Sequence, residues 1–76
     1  MTDIIDISYI YGHHIMIQYG KESGFDLYVI RSKDNMTLFK KHYKTYKGAK
    51  TRYIEECSRY RTKEREQIGL TKKGEN

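Results

Sequence analysis

Proline is absent from this 76-residue chain, cysteine occurs once, and the six glycines are scattered singly. Without proline, no element carries a built-in break. A single cysteine cannot close an intramolecular disulfide, which fits a reducing, cytoplasmic setting. Isolated glycines leave no glycine-rich loop of the kind that cradles phosphate. Apolar runs are short as well. None nears the roughly 18 residues of a membrane span, so no membrane association is expected. The opening residues show no basic stretch followed by an apolar one, and no secretory signal is expected. Metal and redox spacings are missing, since neither a Cys-x-x-Cys nor a His-x-x-x-His pair occurs.

What is present is cationic and patterned. Fifteen Lys and Arg oppose ten Asp and Glu, a net charge of +5, with a mean hydropathy of −0.90 and a pI near 9.4. Residues 1–38 hold three basic and five acidic side chains, a net of −2, whereas residues 39–76 hold twelve and five, a net of +7. The charge available for a polyanionic partner therefore lies in the second half.

The first half reads as strands. Ile5 to Tyr11 and His13 to Tyr19 alternate with period two, and Gly12 between them suits a tight hairpin turn. A single bent strand is the alternative. Gly20 to Gly24 is a loop, Phe25 to Arg31 a strong strand, and Ser32 to Asn35 a turn. Met36 to Lys41 makes a short fourth strand whose lysines suit a sheet edge. From Thr45, a fair N-cap, the period changes. Tyr46, Ala49, Tyr53, Cys57 and Tyr60 fall three or four apart, the stripe of an amphipathic helix. Glu55 and Arg59 fit an exposed i,i+4 pair. The expectation is an α+β domain over residues 1–67, a three- or four-stranded antiparallel meander with one C-terminal helix on a face. Residues 68–76 read as a flexible charged tail.

Catalytic and metal constellations do not emerge. His13 and His14 are adjacent in a strand and point to opposite faces. Cys57 sits on the apolar stripe as a small buried residue. Tyr43, His42 and the helix cations could supply a ribonuclease-like set, but no spacing brings them together. The reading is a non-enzymatic protein with no catalytic residue, metal or small-molecule cofactor.

Two surfaces remain. Lys47, Lys50, Arg61 and Arg65 fall on one flank of the helix stripe; Arg52, Arg59 and Lys63 fall on the other. Two rows of cations on either side of a buried stripe can track a phosphate backbone, and Lys40, Lys41 and Lys44 before the helix add to the first. A bland account competes, because long cationic side chains commonly lie along apolar helix edges with no ligand. Tyr46, Tyr53 and Tyr60 belong to the core on this reading, not to a base-stacking platform. If Phe25, Leu27, Val29, Ile15 and Ile17 face the helix, then Ile10, Met16, Tyr28, Ile30 and Phe39 point the other way, with Asp6, Ser8, Gln18 and Thr37 among them. That is more apolar surface than a solvated face carries, and it marks a protein interface, most simply a homodimer; the alternative is a different register that places some of these residues in the core.

The run from Phe39 to Lys50 enters the helix through Tyr43-x-Thr45-x-x-x-Ala49. It resembles the sheet-to-helix junction of small three-stranded-sheet-plus-helix DNA-binding domains, such as the arm-site-binding domain of phage-type integrases and the plant ethylene-response domain. The resemblance covers about a dozen residues and supports the fold. In those families the sheet reads DNA, but the strands here lack their basic and aromatic pattern, so no binding residue is carried over. Two functions follow as expectations. One is a module acting on nucleic acid, or on an acidic or nucleic-acid-binding protein, through its basic helix. The other is a protein inhibitor or regulator using the apolar sheet face, with the small size and Lys-, Ile- and Tyr-rich composition pointing to a phage or other mobile element.

Overall fold

The computed structural model describes residues 3–75, with side chains through residue 68. Four strands, β1 (Ile4–Ile10), β2 (His13–Tyr19), β3 (Phe25–Arg31) and β4 (Met36–Tyr43), form one antiparallel sheet in chain order. Helix α1 (Tyr46–Glu75) lies across one face and touches all four strands. The expected α+β meander is thus present in its four-stranded form.

Local chemistry accounts for the turns. Tyr11 and Gly12 both adopt positive φ, 51° and 72°, as a two-residue hairpin whose twist matches its strands requires. Asn35, at φ 57°, closes the β3–β4 turn; there Arg31 grips Asp34 at 2.7 Å, and Asp34 Oδ1 accepts the Met36 N–H. Thr45 caps α1, its Oγ1 accepting the Gly48 N–H at 3.2 Å.

Ile15, Ile17, Leu27 and Val29 are essentially inaccessible and meet Ala49, Tyr53, Cys57 and Tyr60 from the helix. This is the stripe that the helical spacing predicts. The expected Glu55–Arg59 pair is not the one formed. Arg59 instead turns inward to Glu56 at 3.5 Å, while Arg52 Nε donates to the same carboxylate at 3.0 Å. Glu56 is buried, and two guanidinium groups offset the cost of taking its charge out of water.

Three further features depart from the sequence reading. Ile10 and Phe39 do not look outward. Ile10 is buried in the core, and Phe39 packs against that core beneath the Arg52 guanidinium, 4.6 Å from the ring centre. Conversely, Asp6 and Ser8 face the helix. A bulge between Ile4 and Asp6 reverses the parity of β1, and a second irregularity opposite Val29 and Ile30 resets β4. Finally, α1 is 30 residues long, about 45 Å. It continues through residues 68–75, where a tail is expected; Asn76 and the side chains from residue 69 lie outside the described residues. Beyond Tyr60 every described side chain of α1 is exposed. The helix therefore overhangs the sheet, and the molecule measures 54 × 26 × 16 Å.

Candidate interaction surfaces

The face of the sheet opposite α1 is built from the register itself. One cross-strand row runs Ile7, Met16, Tyr28, Lys40; the next runs Tyr9, His14, Ile30, Thr37; and a third runs Gln18, Asp26, His42. Ile7 and Tyr9 are 53% and 62% exposed, while Met16, Tyr28 and Ile30 are half-buried by their neighbours alone. No described element covers them. The polar groups gather at the β3–β4 corner. His42 Nδ1 meets Asp26 Oδ1 at 2.7 Å, and Lys40 Nζ sits 5.3 Å from the centre of the Tyr28 ring. A shallow cavity of about 280 Å³ opens beside them, lined by Gln18, Tyr19, Lys21, Asp26, Tyr28 and Lys40.

Of the expected interface residues, Met16, Tyr28 and Ile30 therefore share this face, while Ile10 and Phe39 belong to the core. Ile7 and Tyr9 replace them. Nothing in the residue alternation of β1 announces this, because the bulge that turns the strand over leaves no compositional mark. The only signal was chemical: Asp6 and Ser8 match hydroxyl and ammonium groups spaced along the helix. Tyr46 donates to Asp6 at 2.5 Å, Lys50 Nζ approaches Asp6 at 3.4 Å, and Ser8 bonds the Tyr53 hydroxyl.

These contacts set the ionisation of the seam. Tyr46 holds its proton above the ordinary phenol range, because its hydrogen bond to Asp6 favours the neutral donor and partial desolvation adds to this. Burial is the first cause of the upward shifts of Tyr53 and Tyr60. For Lys50, desolvation works against the charge, but the Asp6 carboxylate outweighs it and the ammonium is strengthened.

The expected cationic set is divided by the fold. Lys40 lies on the outer sheet face, away from α1. Lys41 lies on the helix side of β4, 5.4 Å from the Tyr43 ring centre, and Lys44 is exposed in the turn before the helix. Lys50 is held by Asp6. Lys47, Arg61 and Arg65 remain exposed on one flank of α1, over about 27 Å of helix from first to last. Ile54 and Ser58 are the other exposed side chains along it. At about 100° per residue the described carboxylates of α1 all fall elsewhere. Glu56 is buried, Glu55 and Glu66 point away from the sheet, and Glu64 continues the line of the core stripe. The opposite flank differs, since Arg52 and Arg59 are both engaged with Glu56.

No catalytic grouping is assembled from the candidates. His42 and Tyr43 take opposite faces of β4, the former on Asp26 and the latter against the core. His13 stacks on Tyr60 beneath the helix, whereas His14 lies against Tyr9 on the outer face, with ring centres 4.8 Å apart. Among the described residues no three His, Cys, Asp or Glu side chains converge as metal ligands, and no helix is long and apolar enough to cross a membrane.

No family model, curated protein or solved structure matches the chain.

Proposed function

We propose that the protein is a small, non-enzymatic module that binds nucleic acid along the basic flank of α1. The observation that carries this reading is the exposed line of Lys47, Arg61 and Arg65, none of which forms an ion pair among the described residues. Cations that are not held in an ion pair keep their attraction for phosphate, and neutralising phosphates releases counterions whatever the base sequence. The line is about as long as eight base steps at about 3.4 Å each. Its contacts are to backbone and carry no sequence code.

The test is titration of fluorescent duplex DNA, single-stranded DNA and RNA with wild type and with the triple variant Lys47→Glu, Arg61→Glu, Arg65→Glu. Binding by the wild type, weakened by salt and lost in the triple variant, supports the reading. Equal binding by both, or no binding by wild type at moderate salt, overturns it.

The uncovered apolar face of the sheet favours a second reading, a protein regulator that docks through Tyr28, Ile30 and Met16. Affinity capture that depends on Tyr28 and not on the helix flank would favour it over the first.

A further inference from the structure

We infer that the outer sheet face is the contact between two copies of this chain, packed sheet to sheet with both helices outside. The inference is independent of the nucleic-acid reading, since it uses no residue of the basic flank.

The edges of the sheet are poor sites for association. β4 presents Lys40 and Lys41 and is broken by an irregularity, and β1 carries a bulge. Lysines and bulges at an edge oppose the addition of another strand. The face is different: five large apolar side chains (Ile7, Tyr9, Met16, Tyr28 and Ile30) lie together on it with no described element across them.

Charge selects the occupant. The chain carries +5, so two copies repel over most of their surface. On the outer face Asp26 offsets Lys40, with Lys21 beside them at the corner cavity, and His14, His42, Tyr9 and Tyr28 are the other titratable groups. An acidic partner would be drawn to the helix and away from this face. A second copy brings the same face, whose charge is small beside the +5 of the whole chain.

Geometry permits the pairing. With the two-fold axis running between β2 and β3 and parallel to them, Met16 of one copy lies over Tyr28 of the other, twice. Sulfur against an aromatic ring is a favourable contact. Each Lys40 then falls over the β1 edge of its mate, near Ile7 and Tyr9, and the two Lys40 ammonium groups stay at opposite margins. Four strands about 4.8 Å apart and seven residues long present roughly 440 Å² of sheet, and stacked sheets sit about 10 Å apart. Two such faces, with the relief of their side chains, bury about 1,000 Å² in total, the size at which a specific interface begins. A core as small as this one gains most from such an addition.

The test is sedimentation of the full chain across the micromolar range. A dimer is expected, with Tyr28→Glu and Ile7→Lys each weakening it at least about a hundredfold. Ile7 is exposed on an edge strand, so its variant tests the contact with the core left intact, and Ile54→Lys on the exposed helix should leave the dimer unchanged. Added salt should tighten the dimer by screening the repulsion between the two +5 chains. A folded wild type that stays monomeric throughout overturns the inference. So does a dimer that Ile7→Lys leaves intact, or one that salt dissociates.

Discussion

The imidazole of His13 lies flat against the phenol ring of Tyr60, with ring centres 4.1 Å apart and planes 21° apart. His13 opens β2 and is tied to the hairpin, its Nδ1–H donating to the Tyr11 carbonyl at 2.6 Å. Tyr60 is the last residue of α1 that the sheet buries. The pair fastens the midpoint of the helix to the end of the sheet. Replacing Tyr60 with alanine removes a buried aromatic and should cost about 3 kcal/mol. Ile68→Ala, just over two turns further along and exposed, should stay within about 0.5 kcal/mol. Urea unfolding of the two variants measures the contrast, and equal losses would show that the overhanging half of α1 is held in some other way.

The phenols along the seam tie stability to alkaline pH. Tyr46, Tyr53 and Tyr60 all have folded values raised above those of the unfolded chain. Their contribution to stability is therefore complete below the ordinary phenol value of about 10 and is lost as pH rises through the folded values. Stability should fall steeply only in that alkaline window. Asp6→Asn removes the carboxylate that holds the Tyr46 proton and should bring one phenolate transition down toward about 10. Phenolate absorbance followed beside circular dichroism reads both. If ionisation of all eight tyrosines is complete before any unfolding begins, the seam does not restrain them.

At the acid end the sign reverses. Arg31 hydrogen-bonds Asp34 and lowers its value, so that contribution is present above the ordinary carboxylate range and fades as pH falls through the folded value. Both partners are well exposed, and Asp34→Asn should flatten the acid limb only slightly.

The loop before β3 supplies a backbone prediction. Gly24 has φ +76°, and a Cβ there would come within 2.6 Å of the Tyr43 carbonyl oxygen and 2.8 Å of the His42 ring. Gly24→Ala combines strain with a clash and should cost about 1–3 kcal/mol. Gly12 has a similar φ of +72° but open space around it, so Gly12→Ala isolates the conformational part alone. Thermal melts should rank Gly24→Ala clearly below Gly12→Ala. The reverse order would mean that the β4 end moves aside freely.

For the helix flank, the salt dependence is the measurement that matters. Each of Lys47, Arg61 and Arg65, changed singly to alanine, should lower the salt slope of nucleic-acid binding by about one and weaken binding on every sequence alike. Lys50→Ala should do less, because its ammonium is already shared with Asp6. Loss of affinity on one sequence alone would place base readout, not phosphate contact, at this flank.

These residues also show how far the sequence could be read. The meander, the Thr45 cap and the stripe from Ala49 to Tyr60 were legible because each rests on a local rule of spacing or side-chain chemistry. The facing of Ile7 and Tyr9 was not, because one extra residue at a bulge turns every later side chain of β1 over. Phe39 was misplaced for the same reason at β4. The helix end was hidden too. Apolar spacing marks where a helix is packed and is silent on where it continues alone, which charged helix-forming residues permit. Of the two surfaces, the basic flank could be drawn on a helical wheel, whereas the inward turn of Glu56, which engages Arg52 and Arg59 on the other flank, could not. The sheet face could be sensed as an excess of apolar residues, yet two of its five members were wrong until the register was known.

Cys57 has so far figured only as part of the core, 3% exposed beneath α1. As the lone sulfhydryl of the chain, and free, it is also a clock. A thiol reagent can reach it only when the helix lifts from the sheet, so the labelling rate at low reagent counts the openings of that one joint. Every variant above can be timed by the same reaction with no added probe. A substitution that alters a surface without loosening the fold will leave the clock running at its original pace.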